Sequence, residues 1–273
     1  MLPKLGILAG GGKLPAHIIQ ACRDSGREYF VIAIEQQTDP DILINAPHAW
    51  VRLGAIGKAI EYLRNEKVEE LVMIGPVHRP SLTTLRPDAW VTKRLAKIGL
   101  KALGDDGLLS FLIQEFELEG FRVIGPDVIL TDLIAPEGVY GSISPDDMAM
   151  SDIKRGFDVA KGLGRLDVGQ AAVVQQGLIL AVEAIEGTDE MLKRAAGLNR
   201  EGPGGVLVKV KKPEQEQRAD LPTIGVSTVE NAAQAGLRGI AIQAGHALVV
   251  DLSKVVRIAD QKGLFITGIK INE

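Results

Sequence analysis

The sequence predicts an α/β protein of two domains. Short apolar runs stopped by glycine alternate with segments of helical spacing along most of the 273 residues, and a stretch rich in proline and glycine interrupts the pattern near the middle. Such alternation favours a parallel sheet covered by helices on both faces, a Rossmann-like arrangement for the N-terminal half. The C-terminal half opens on a long helix and an apparent hairpin, which predicts a mixed α/β domain. At roughly 100–200 residues per domain, the length is long for one domain and comfortable for two.

The elements follow in order. "KLGILAG" (4–10) is an apolar run ended by glycine, hence a strand, and "LPAHIIQACRDSG" (14–26) has helical spacing with Gly26 as its stop. "EYFVIAIE" is a β-branched and aromatic strand. "IGKAIEYLRNEKV" and "EELVMIG" repeat the helix and strand, and helices occupy 90–119 ahead of a strand at "FRVIG" (121–125). Around 133–145 the composition shifts to "LIAPEGVYGSISP", read as a linker, which sets domains of 1–135 and 143–273. Beyond it Ser144, three residues before Asp147, resembles the N-cap of a helix over "PDDMAMSDIKRGFDVAKGLG". Strands at "QAAVVQ" and "LILAVEAI", a helix at "DEMLKRAAGL", a strand at "GVLVKV" and a strand–helix alternation from "TIGVS" to "LFITGIK" complete the chain, with Thr188, Thr228 and Ser253 expected as N-caps.

Composition narrows the function classes. A formal charge of −4 without any sustained basic face argues against a nucleic-acid binder. A single cysteine, Cys22, provides neither a disulfide framework nor a thiolate metal cluster, which fits a reducing compartment. No segment approaches the ~20 apolar residues of a spanning helix, and the N-terminus lacks the marks of a signal peptide. The expectation is a cytoplasmic protein whose lipid contact, if any, is peripheral, through a groove or an interfacial patch. Nothing in the sequence demands or forbids a homodimer.

Several residues are candidates for chemistry. Gly10, Gly11 and Gly12 lie where the first strand meets the first helix, where bare amides and the helix dipole favour a phosphate, although a tight turn alone also calls for glycine. Pro15 stands where the dinucleotide fingerprint needs its third glycine, so a nucleotide diphosphate is favoured over a nicotinamide dinucleotide. Arg79, in the loop "IGPVHRP" after the third predicted strand, suits bidentate pairing with phosphate or plain surface exposure. The four histidines show no ligand spacing. Asp105 and Asp106 in "GDDG" suit a helix cap or carboxylate ligation of Mg²⁺. Gln170, and Thr188 with Asp189, sit at the two ends of the apparent hairpin, as turn residues or as substrate contacts. In "KVKKPEQEQRADLPTIG" (209–225), Lys209, Lys211 and Arg218 precede Asp220 and the strand residue Thr223. Either this is a solvated loop, or the cations offset developing phosphoryl charge while a carboxylate-bound metal orients water.

Taken together, "LGILAGGGKLP", "GDDGLL", "RLDVGQAAVV", "AVEAIEGTDEML" and "KKPEQEQRADLPTIGVSTV", in this order along essentially the whole chain, resemble the UDP-2,3-diacylglucosamine pyrophosphatase family of the LpxI type. The resemblance implies a Mg²⁺-dependent hydrolase of lipid A biosynthesis in a Gram-negative bacterium, cleaving UDP-2,3-diacylglucosamine to 2,3-diacylglucosamine 1-phosphate and UMP. It further implies an N-terminal nucleotide-binding domain and a C-terminal domain for the acylated sugar, with the active site between them. The family's essential aspartate precedes "LPTIG" and so maps to Asp220, as metal ligand, water-orienting base, or both. The rival readings are a non-catalytic carrier of a nucleotide sugar and a nicotinamide oxidoreductase.

Overall fold

The computed structural model describes residues 2–78, 88–98, 105–213, 218 and 221–270. They form two compact units, one running to Leu130 and including Arg218, the other beginning at Thr131.

In the first unit β1 (Leu5–Ala9), β2 (Tyr29–Ile34), β3 (His48–Val51), β4 (Glu70–Ile74) and β5 (Arg122–Val123) form one parallel sheet in the order β3-β2-β1-β4-β5. The helices are α1 (Leu14–Ser25), α2 (Ile56–Asn65), α3 (Ala89–Ile98) and α4 (Asp105–Leu118). In α1 the buried residues Pro15, Ile18, Ile19 and Cys22 repeat at helical spacing, so one stripe faces the core. Gly26 ends it at φ 67°, a left-handed conformation that costs glycine nothing. Ile60 and Leu63 of α2 and Ile113 and Phe116 of α4 pack with Ile32 and Leu71 on one sheet face. The alternate residues Ile7, Val31 and Val72 are fully buried too, so both faces are covered, as an all-parallel sheet requires. The sequence reading passed over β3, whose "HAWV" is only four residues long.

The second unit begins with β6 (Gly138–Val139) and α5 (Asp147–Arg165), followed by the hairpin of β7 (Ala171–Gln175) and β8 (Leu178–Val182). Next come α6 (Gly187–Ala196), β9 (Val206–Lys209), β10 (Thr223–Ile224), α7 (Val226–Gln234), β11 (Gly239–Gln243), β12 (Leu248–Val249), α8 (Leu252–Lys262) and β13 (Phe265–Ile269). Six strands form a mixed sheet in the order β6-β13-β11-β9-β7-β8. β9, β11 and β13 are mutually parallel, β6 and β7 run against them, and β8 runs against β7. Ala171, Val173 and Leu207 pack with Met191 of α6, Val229 of α7 and Val255 of α8. Val206, Val208 and Val210 pack with Ile153 and Ala160 of α5 on the other face. The hairpin turns at Gln176 and Gly177, both at positive φ, and the buried carboxylate of Asp152 accepts both of their N–H groups at 3.0 and 2.6 Å.

Two local expectations are corrected. The "APEGVYGSISP" stretch is no free linker: β6 pairs with β13, the Tyr140 N–H donates to Ile266 O, and Ser142 donates from its N–H and its hydroxyl to Asp260. The expected N-caps are displaced. Asp146, not Ser144, caps α5 by accepting from the Ala149 N–H at 2.8 Å, and the Thr228 hydroxyl, already inside α7, accepts from the Gly225 N–H. Ser253 lies within α8, whose N-cap position is Asp251, and Thr188 lies within α6.

Candidate active site

In the first unit β1 is flanked by β2 and β4, so the chain departs in opposite directions on its two sides. At this switch point the carboxyl ends of the strands open a crevice. The glycine turn lies there. The Gly10 N–H donates to Ile74 O and the Gly11 N–H to Pro76 O, each at 2.8 Å. These two amides knit the loop after β1 to the loop after β4. A Cβ on Gly10 would stand 2.4 Å from Gly75 O and 2.7 Å from Pro76 O, so close backbone approach is what demands glycine there. Gly12, at φ 72°, turns the chain into α1, whose N-cap position is Lys13 without any side-chain cap. Thr38 braces the same edge, donating from its hydroxyl to Ala9 O at 2.5 Å and accepting from the Ile34 N–H. The His78 N–H donates to Gln37 Oε1 at 3.0 Å, joining the loops after β2 and β4.

In the second unit the carboxyl ends of β8 and β9 lie together, because both run against β7. Lys209, the last residue of β9, sits opposite Ala171 and is only 8% exposed. Its Nζ donates to the Thr188 hydroxyl at 3.0 Å and to Thr223 O at 3.2 Å. Thr188 in turn donates to Glu183 Oε1 at 2.5 Å, and Glu183 Oε2 accepts from the Gln170 N–H at 3.1 Å. Four of the sequence candidates, Gln170, Thr188, Lys209 and Thr223, thus meet in one hydrogen-bonded group. A buried ammonium needs compensation, and no carboxylate among the described residues forms an ion pair with it. Gln170 Oε1 is buried without a hydrogen-bond partner, a second unspent polar group at this edge.

The other candidates are placed as follows. Asp189 accepts from Asn231 Nδ2 at 2.8 Å, tying α6 to α7. The Lys211 N–H donates to the buried Gln243 Oε1 at the end of β11, and Lys212 forms an ion pair with Asp167 at 2.7 Å. Arg218 pairs with Glu117 of α4, within the first unit. Asp220, Arg79 and the side chains of Asp105 and Asp106 lie outside the described residues. Among the described residues no group of three or more His, Cys, Asp or Glu gathers as a metal cage. Sequence reasoning missed Glu183; its signal was a lone carboxylate at the end of an apolar strand, five residues ahead of Thr188.

The first unit is of the doubly wound class, whose ligands sit at the carboxyl ends of the strands beside the first strand-to-helix turn. Similarity to known proteins narrows this class. Residues 4–133 match the LpxI N-terminal domain and residues 136–267 the LpxI C-terminal domain. Over 277 aligned positions, spanning 99% of each chain, the sequence is 44% identical to the UDP-2,3-diacylglucosamine pyrophosphatase LpxI of Caulobacter vibrioides. The chain belongs to the LpxI family.

Proposed function

We propose that this protein hydrolyses the pyrophosphate of UDP-2,3-diacylglucosamine to 2,3-diacylglucosamine 1-phosphate and UMP, a step of lipid A biosynthesis. The observation that carries this reading is the similarity over both domains to a pyrophosphatase of that substrate, at 44% identity and nearly full coverage. The buried Lys209 supports it from the chemistry. Cleaving the P–O–P bridge drives negative charge onto the departing phosphate, and a positioned ammonium in a water-poor setting stabilises that charge.

We assign the uridine nucleotide to the first unit, where Gly12 and the uncapped start of α1 suit a phosphate, and the acylated sugar to the second. Lys209 offsets phosphoryl charge, joined by Lys211 and Arg218. Gln170 offers its unspent oxygen to a hydroxyl or amide N–H of the sugar. Asp220 is the proposed protein ligand of Mg²⁺, water-orienting base, or both. Asp220 would offer the carboxylate oxygen that Mg²⁺ prefers, and Mg²⁺ commonly keeps several waters and is held by one or two carboxylates together with substrate phosphates. When bound it supplies neutralisation of the diphosphate charge. No described helix is long and apolar enough to cross a membrane. We place the protein in the cytoplasm, meeting its acylated substrate at the inner membrane surface.

The direct test is incubation of the purified protein with UDP-2,3-diacylglucosamine, with and without Mg²⁺, following UMP by chromatography. UMP release with Mg²⁺ is expected; binding without release would make the protein a carrier.

A further inference from the structure

We propose that Glu183 is a positioning residue for this reaction: acting through the Thr188 hydroxyl, it holds the Lys209 ammonium so that one N–H and its charge remain for a phosphate oxygen. The inference rests on the proposed hydrolysis and deepens it.

Glu183 is 6% exposed, so its carboxylate has left most of its water and needs partners. A direct ion pair with the neighbouring buried lysine would supply one. Instead the hydroxyl of Thr188 stands between them, 2.5 Å from Glu183 Oε1 and 3.0 Å from Lys209 Nζ. The chemistry of the three groups fixes the direction of this chain. An ammonium only donates and a carboxylate only accepts, so the single hydroxyl proton of Thr188 goes to Glu183 and its oxygen accepts from Lys209.

This arrangement has two consequences. The countercharge is near enough to support a buried ammonium, yet it consumes none of that ammonium's donors directly. Of the three N–H bonds of Lys209, one goes to Thr188 and one to Thr223 O, and the third has no partner among the described residues. A carboxylate in direct contact would instead cancel the charge that the reaction needs. The geometry is held from behind as well. Glu183 Oε2 accepts from the Gln170 N–H, and a Cβ on Gly169 would lie 2.1 Å from Glu183 O, so the turn before β7 packs against the Glu183 backbone as closely as glycine permits. A Glu183→Gln change removes the negative charge and, with its amide oxygen kept on the Gln170 N–H, turns its NH₂ toward the Thr188 hydroxyl, which then accepts from the new amide instead of donating to the carboxylate and loses the direction that the carboxylate imposed.

The test uses the full chain with UDP-2,3-diacylglucosamine and Mg²⁺, measuring kcat and KM for Glu183→Gln, Thr188→Ala, Thr188→Ser and the Glu183→Gln/Thr188→Ala double variant. Glu183→Gln and Thr188→Ala are each expected to lower kcat by roughly tenfold to a hundredfold with KM within about threefold, the mark of an interaction felt in the transition state. Thr188→Ser restores most of what Thr188→Ala loses. The double variant falls no further than the worse single variant by more than about twofold, since both act on one chain of bonds. If Glu183→Gln does not fold, Thr188→Ala and Thr188→Ser carry the comparison. Wild-type kcat in Glu183→Gln, multiplicative losses in the double variant, or a Thr188→Ser as poor as Thr188→Ala would overturn the inference alone. A wild-type protein that releases no UMP would overturn the proposed reaction and this inference with it.

Discussion

Replacing Gly10 by alanine adds one methyl group at the crossing of the loops after β1 and β4, and its cost can be worked from the geometry. The new Cβ would meet Gly75 O at 2.4 Å and Pro76 O at 2.7 Å, both backbone atoms that cannot swing aside as a flexible side chain could. Relief requires the two loops to part, straining the Gly10 to Ile74 and Gly11 to Pro76 hydrogen bonds that join them. Forced methyl groups in tight packing cost about 1–3 kcal/mol, and a backbone clash belongs at the upper end. With a urea slope of about 2 kcal/mol per molar, the unfolding midpoint of the first unit should fall by roughly 1–1.5 M. Both tryptophans of the chain, Trp50 of β3 and Trp90 of α3, lie in this unit, so their fluorescence reports its unfolding selectively. Gly11→Ala is the internal control: its Cβ meets Gln37 O at 3.2 Å and Pro76 O at 3.4 Å, contacts that a shift of a few tenths of an ångström relieves. Its midpoint should move far less. An unshifted midpoint for Gly10→Ala, or equal shifts for both variants, would refute the argument from close approach.

Two further predictions concern catalysis and pH. Asp220→Asn should abolish most turnover while keeping UDP-sugar affinity within about tenfold, about 1.4 kcal/mol; calorimetry and UMP release separate the two, and near-normal turnover would remove Asp220 from the mechanism. Hydrogen bonds from Arg238 and from the Ala149 N–H hold the Asp146 carboxyl below the usual carboxylate range. A folded value below the unfolded one means that its stabilisation is present above an ordinary aspartate pKa of about 4 and is lost as the pH falls through the folded value. Asp146→Ala should therefore lower Tm at neutral pH, with the gap to the wild type narrowing in acid; a gap that is constant with pH would contradict this linkage.

Where sequence legibility succeeded, local chemistry and tertiary packing asked for the same thing. α1 was readable because its apolar stripe and the left-handed Gly26 both lie within thirteen residues of sequence. Within 133–145, prolines and glycines that suit a linker also suit a short edge strand, and only the pairing of β6 with β13, more than a hundred residues away, reveals it. Helix caps slipped by a few residues, since "SPDD" offers several oxygen acceptors and only the backbone selects Asp146. At the site, Thr188 and Lys209 are candidates on separate stretches of the sequence, and the fold joins them to each other and to Thr223. Glu183 escaped because its meaning lies wholly in Thr188 and Lys209, brought to it by the return of β8 beside β7 and by the pairing of β7 with β9.

The measurement that bears most directly on the central claim is ³¹P NMR of UDP-2,3-diacylglucosamine incubated with the purified protein and Mg²⁺. Cleavage of the pyrophosphate predicts that the diphosphate signals decay while two phosphomonoester signals, from UMP and 2,3-diacylglucosamine 1-phosphate, grow in equal amounts. Persistence of the diphosphate signals, or their replacement by those of free UDP through cleavage at the sugar instead of between the phosphorus atoms, would contradict it.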